Sequence, residues 1–174
     1  MPFENVFSII IPAHNEQAVV ARGIRALARD AGADSYQVIV VANGCSDDTA
    51  GVARRAWDRV EVVETDIPSK SNALNLGDVE ATGFPRFYMD ADIERSRDAI
   101  SIMSARMIET GALAASPAME MRFTDASWPV QVYYRGWQEL PYVKEGMIGV
   151  GIYALSEEGR RRFGRFPSII ADDG

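Results

Sequence analysis

One cysteine stands among 174 residues, so Cys45 has no partner for an internal disulfide and no Cys-based zinc site can form. Basic charge is scarce as well. Lys and Arg number 18 against 25 Asp and Glu, a formal charge of -7, which argues against broad nucleic-acid binding because that needs a basic face. No apolar run approaches the length of a membrane span, and the N-terminus lacks the basic-then-apolar pattern of a signal peptide. Internal repeats, low-complexity stretches and linkers are absent too. What remains is the composition of an ordinary soluble globular protein, 47% hydrophobic and 25% charged. That length suits one domain with a substantial core.

The stretch that organises the chain is Arg86-Phe87-Tyr88-Met89-Asp90-Ala91-Asp92. An aromatic and apolar run ends in two acids with one small residue between them. The run reads as a buried strand of a parallel sheet. Where such a strand opens into a loop, both acids can turn toward one point. Paired carboxylates suit a hard cation such as Mg²⁺ or Mn²⁺, whose shell a substrate's phosphates complete. Open α/β sheets bind their ligands at the carboxyl ends of strands, where this pair falls. Alone, the two acids are better read as a solvated turn that caps the next helix.

Upstream, Phe7 to Ile11 reads as a first strand closed by Pro12, followed by a loop through Glu16 with Asn15 as an N-cap. Val20, Ile24, Leu27 and Ala31 recur at helical spacing up to Gly32. Tyr36 to Val41 is a second strand, and a turn-rich loop follows in which Ser46 or Asp47 caps a helix reaching Trp57. A third strand spans Val60 to Glu64, and a third helix spans Ser71 to Glu80. This alternation predicts a parallel sheet with right-handed crossovers, an open α/β sandwich.

Beyond the acids, Ser96 opens a helix with Ala99, Ile100, Met103, Met107 and Ile108 on one face, read as core packing, and Gly111 stops it. Ala112 to Ser116 and Ala118 to Phe123 read as strands. Val130 to Leu140 reads as a helix whose Tyr133, Tyr134 and Trp137 pack rather than stack on a ligand. Met147 to Tyr153 is a glycine-interrupted strand, and Gly149 there marks close backbone approach by a ligand. Ser156 begins a short helix ending in Arg160-Arg161-Arg162, whose charges complement the helix terminus and need no anionic partner.

Four signals thus fall at the carboxyl ends of successive expected strands: Pro12 to Glu16, Asn43 to Thr49, the loop through Lys70, and Asp90 to Asp92. Together with the terminal Ala171-Asp172-Asp173, these segments resemble the family 2 glycosyltransferases with their GT-A fold. The resemblance covers essentially the whole chain. It implies one catalytic domain, with residues 1–92 as the nucleotide-sugar half and 93–174 as the acceptor and base half. It also implies roles. Pro12, Ala13 and Glu16 would line the nucleoside pocket. Asn43 stands where the family usually has an acid contacting the base, and Asp47 matches the later acid of that loop. Lys70 would lie near the donor diphosphate. Asp90 would face the ribose or the metal, Asp92 would hold Mn²⁺ or Mg²⁺, and Ala91 between them would line the donor site. Asp173 would be the general base. His14 is read as a loop histidine bonded to backbone, and Cys45 as a small turn residue.

The implied activity is metal-dependent, inverting sugar transfer from a nucleotide-diphosphate sugar to a carbohydrate, lipid or small-molecule acceptor. A UDP-sugar is favoured, but because Asn43 replaces an acid, discrimination for uracil is expected to be looser and a GDP-sugar stays open. A cytoplasmic location is expected, with membrane association through the acceptor or a missing segment as the other option. The chain closes one residue after Asp173, where the family continues, so a truncated form is expected. Two other readings remain: a catalytically silent module that binds nucleotide sugar and metal, and a sugar nucleotidyltransferase. The latter wants a glycine-rich basic loop after the first strand, which Pro12 to Glu16 is not.

Overall fold

The computed structural model describes residues 7–29, 36–117, 127–138 and 151–168. Six strands form one sheet: β1 (Ser8–Ala13), β2 (Gln37–Asn43), β3 (Val60–Thr65), β4 (Arg86–Met89), β5 (Ala114–Ala115) and β6 (Ile152–Leu155). Their order across the sheet is β3-β2-β1-β4-β6-β5. The first four strands are mutually parallel, and β6 lies antiparallel to both β4 and β5. The expected parallel α/β sandwich is what the first four strands adopt, and β6 runs against it.

Every residue of β1 and β2 is buried, which is why both read as unbroken apolar runs. Alternate side chains serve opposite faces. Ile9, Ile11, Val38, Val40, Phe87 and Met89 belong to one core, which also takes in Val20, Ile24, Ile100 and Met107 from helices. Ile10, Ile39, Val41 and Tyr88 belong to the other, with Ala73 and Leu74. The helices divide accordingly. Helices α1 (Val20–Ala28), α2 (Thr49–Ala56) and α4 (Arg97–Thr110) cover the first face, and α3 (Lys70–Glu80) covers the second. Gly77 of α3 sits directly on Ile10, so a side chain there would lift the helix off β1. The chain changes faces between β2–β3 and β3–β4, so the sheet's order reverses beside β1. A crevice therefore opens between the carboxyl ends of β1 and β4.

Several expectations need correction. Asn15 does not cap α1: it takes a left-handed backbone (φ 54°), and α1 starts at Val20 without a side-chain cap. On α4 the buried face is Ile100, Ser104 and Met107, with Met103 half-buried, whereas Ala99 is exposed and Ile108 is 66% exposed. The left-handed Gly111 closes the helix as expected. Helix α5 (Trp128–Gln138) exists, but Tyr133 is 67% exposed rather than packed. The side chains of Tyr134 and Trp137 lie outside the described residues, as do the strand expected at 118–123 and residues 147–150.

Helix α6 (Glu157–Arg161) overturns the expectation that its arginines need no partner. Arg160 pairs with Asp78 of α3 at 2.7 Å, and Arg86 of β4 reaches the other oxygen of that carboxylate at 2.7 Å. Arg161 and Arg162 pair with Glu157 and Glu158 one turn back. Tyr88 donates its hydroxyl to Asp78 at 2.8 Å, and burial followed by that bond pushes the Tyr88 hydroxyl far above its ordinary range. Asp78 therefore knits α3, β4 and α6 together in a nearly dry setting.

Candidate active site

The loops at the carboxyl ends of β1 and β2 are built against each other. Asn15 Oδ1 accepts from the Ser46 N–H at 2.8 Å, which its left-handed backbone makes possible. The Asn15 N–H donates to Cys45 Sγ at 3.4 Å, and that thiol donates to the Ala13 carbonyl at 3.4 Å. The Glu16 N–H donates to Thr49 Oγ1 at 2.8 Å, and the Gln17 N–H donates to Asp47 Oδ2 at 3.1 Å. Asp47 also accepts from the Thr49 N–H at 3.0 Å in the turn before α2, but the residue at the cap position is Asp48, without a side-chain cap bond, rather than the expected Ser46 or Asp47. Partial burial pushes the Asp47 carboxyl up, but its bonds from Thr49 and Gln17 outweigh that and hold it below its ordinary value.

His14 approaches the Asn43 carbonyl through Nδ1 at 2.6 Å, which makes it the backbone-bonded loop histidine expected. With Nδ1 donating, Nε2 is left to accept from the Asn15 amide at 3.3 Å. Asn43 itself closes β2, is only 3% exposed, and leaves its side-chain Oδ1 without a hydrogen-bond partner among the described residues. An orphaned buried acceptor marks a place that water or a ligand completes. Gly44 follows with φ 59°, donates its N–H to Thr65 at 2.7 Å, and lies flat against Pro68. That contact carries the chain from β3 into α3 close beside Asn43.

From α3, Lys70 reaches Asp90 at 3.0 Å, both side chains being about one-third to two-fifths exposed. Ser69 caps the helix by accepting from the Asn72 N–H at 3.3 Å. Asp90 is fixed by its own N–H, which donates to the Gly151 carbonyl at 2.8 Å, and its carbonyl accepts from Ile93 to form the turn that holds Ala91 and Asp92. Ala91 is buried and Asp92 exposed. Arg22 and Glu94 form an ion pair across this turn, joining α1 to the β4 loop.

These four loops share one electrostatic neighbourhood. Burial pushes the Glu16 carboxyl up, and the charges of Asp92, Asp47 and Asp90 push it the same way. Pro12 and Ala13 are buried at the end of β1, three to four residues before Glu16. The structure thus brings together Pro12, Ala13, Glu16, Asn43, Asp47, Lys70, Asp90, Ala91 and Asp92, while Gly149 and Asp173 lie outside the described residues.

The donor chemistry suits a hard divalent cation. No group of three or more His, Cys, Asp or Glu side chains among the described residues could hold an ion unaided. The chemistry of Asp92 and Asp90 fits the one or two carboxylates that Mg²⁺-type ions take when substrate phosphates fill the remaining positions. Lys70 on Asp90 leaves Asp92 the better placed of the two.

A 3-2-1-4 parallel half, an antiparallel β6 beside β4, and an acid pair at the switch point define the GT-A architecture. The sequence matches Glycosyl transferase family 2 over residues 8–166, and the chain belongs to that family. It is 33% identical over 93 residues to the probable glycosyltransferase YdaM of Bacillus subtilis (strain 168), covering 49% of this chain and 22% of that protein. Its fold is similar to that of the M. tuberculosis glucosyl-3-phosphoglycerate synthase solved with Mn²⁺, UDP and glucosyl-3-phosphoglycerate. There the TM-score is 0.64 at 21% identity, over 88% of this chain and 57% of the synthase. S. aureus TarS 1-349 in complex with UDP-GlcNAc gives a TM-score of 0.60 at 17% identity, over 70% of this chain and 36% of that one. The chain therefore spans less than two thirds of each of these relatives. No helix among the described residues is long and apolar enough to cross a membrane.

Proposed function

We propose that this chain transfers a sugar from a nucleotide-diphosphate sugar to an acceptor hydroxyl, with inversion and with Mn²⁺ or Mg²⁺ as cofactor. The observation that carries it is the meeting of Glu16, Asp47, Asp90 and Asp92, with Lys70, where β1 and β4 part company. Four acids and one ammonium at a sheet's switch point favour a ligand that brings phosphates and cations together. The family membership and the UDP-bound, Mn²⁺-bound synthase of similar fold support the same reading. Residues 1–92 serve as the nucleotide half and 93–174 as the acceptor and base half.

Pro12, Ala13 and Glu16 flank the nucleoside, and the orphaned Asn43 Oδ1 accepts an N–H from its base. UDP is the favoured nucleotide, because uracil offers one N–H to such an acceptor. Lys70 exchanges part of its contact with Asp90 for the diphosphate, where an ammonium acts as a compact point charge. Asp92, with Asp90, would hold the cation, which when bound neutralises charge developing on the leaving diphosphate. Asp173 accepts the proton of the attacking hydroxyl, a weak nucleophile until a carboxylate lies within hydrogen-bond reach. Ala91 lines the donor site, a role we also give to Gly149. The chain's main contribution is alignment of the two substrates for in-line displacement.

The test is UDP release from UDP-glucose with Mn²⁺, with the anomeric configuration of the released or transferred sugar followed by NMR. An inverted first product is expected. A retained configuration contradicts the one-base scheme, and binding without any release marks a silent nucleotide-sugar module.

A further inference from the structure

Gly23 stands in the middle of α1, although glycine is the weakest of the ordinary helix formers. The reason lies on the loop after β4. A Cβ at position 23 would come 2.8 Å from the Ile93 carbonyl oxygen and 3.7 Å from that of Ala91. Only bare backbone lets α1 lie this close to the turn that carries Asp92.

A second glycine meets the side chain of the same residue. At Gly151, just before β6, a Cβ would come 2.5 Å from Ile93 Cγ1 and 2.7 Å from Cδ1, so the isoleucine fills the space that a side chain there would need. The Gly151 carbonyl accepts the Asp90 N–H at 2.8 Å, and the Asp90 carbonyl accepts the Ile93 N–H at 3.1 Å. Ile93 is thus engaged through its N–H, its carbonyl and its side chain at once. It is half-buried and packs against the core that includes Val20, Ile24 and Met89.

Between these fixed points Ala91 is buried and Asp92 is exposed, so the turn sends its small residue inward and its acid outward. Arg22, next to Gly23, adds a strap: it pairs with Glu94, and its Nη2 donates to the Asp92 carbonyl at 3.5 Å. Those two side chains are 58% and 48% exposed, and an ion pair so placed contributes little. The close-packed wedge at Ile93 therefore sets the turn more than the strap does. A carboxylate on a backbone already in place gives up only side-chain freedom when it takes an ion.

We propose, on the reading that Asp92 holds the cation, that Ile93 is a positioning residue: wedged between Gly23 and Gly151, it fixes the turn from which Asp92 reaches the ion. Ile93 touches neither ion nor nucleotide; it acts through Asp92.

The test measures binding in the full chain, with Mn²⁺ followed by electron paramagnetic resonance at saturating UDP and UDP followed separately in EDTA. Ile93→Ala should raise the Kd for Mn²⁺ about tenfold, the scale of losing a group that orients a ligand, and leave the Kd for UDP in EDTA unchanged. Ile93→Val keeps the branched stem against Gly151 and should stay within about twofold of the parent for Mn²⁺. Gly23→Ala crowds the Ile93 carbonyl from the α1 side and should reproduce the split seen in Ile93→Ala. Without any ligand, the amides of Asp90 and Ile93 should exchange about tenfold faster in Ile93→Ala, while those of β1 and β2 keep their rates. A parent chain that binds UDP equally in Mn²⁺ and EDTA removes the cation reading and the role of Ile93 with it, and the parent alone shows that. With the parent responsive to Mn²⁺, unchanged Mn²⁺ affinity in Ile93→Ala or Gly23→Ala overturns the proposal. Equal losses in the alanine and valine variants overturn it too, as does a matching loss of UDP affinity in EDTA or uniform acceleration across β1 and β2, which would make Ile93 a general stabiliser of the fold.

Discussion

Glu16 sits where burial and the charges of Asp92, Asp47 and Asp90 all favour its protonated form. Its folded pKa is raised, so its stability contribution is whole below the ordinary value and declines as pH climbs through the folded one. Glu16→Gln abolishes that titration. In ligand-free melts, the variant's Tm relative to the parent should rise from about pH 4 through this window and then level off. A difference that is constant with pH would contradict the shared neighbourhood. Gly44 offers a second test. With φ 59° and a Cβ that would come 2.6 Å from Pro68, Gly44→Ala should lose stability by about 1–3 kcal/mol or more in urea unfolding. The site's residue types were readable because acids and a lysine recur after apolar runs. Their mutual bonds were not. Asn15 looked like a helix cap because Asn is a common one, yet its left-handed backbone serves Ser46, 31 residues away.

At the scale of elements, α3 repays the closest reading. Its start, its length and its apolar contacts on β1 follow from Ser69, the helix-forming run and Gly77. In the polar stripe of Ser71, Asn75 and Asp78, the last two instead answer to partners 91 and 82 residues later in sequence, and no local pattern announces a pairing over such distances. The arginines after Ser156 were read as dipole partners for the same reason: Asp78 is remote in sequence. Asp78→Ala strands Arg86 and Arg160, whose side chains are 13% exposed, and should lose about 3–5 kcal/mol. Arg161→Ala breaks only an exposed pair one turn long and should lose about 0.3–0.5 kcal/mol. Equal effects in denaturant titrations would show that the Asp78 cluster is no more than a surface pair. Helix α4 shows a complementary limit. Helical periodicity found its apolar side, but it did not separate Met107, which is covered, from its neighbour Ile108, which points about 100° further round the helix and is left out.

For the whole molecule, β1, β2 and β4 were legible because both faces of a parallel sheet's interior are buried and such strands are written as apolar runs, whereas β3, at the sheet's edge, is only partly buried and carries Glu61 and Glu64. Alternation with helices then leaves few arrangements open, and right-handed crossovers select the one observed. The antiparallel β5 and β6 are short, and their pairing with β4 depends on contacts rather than pattern. The placing of Glu16, Asp47, Asp90 and Asp92 in one crevice is thus a property of topology, while their individual bonds are properties of the fold in detail. The central claim is that this crevice takes a nucleotide diphosphate together with a divalent cation through Asp92. The most direct measurement is thermal unfolding with UDP, comparing Mn²⁺ with EDTA, in the parent chain and in Asp92→Asn. At a hundred times its dissociation constant, UDP with Mn²⁺ should add about 2.7 kcal/mol to the parent's stability, and most of the Mn²⁺-dependent part should vanish in the variant. An equal shift in EDTA, or an Asp92→Asn variant as responsive to Mn²⁺ as the parent, would contradict it.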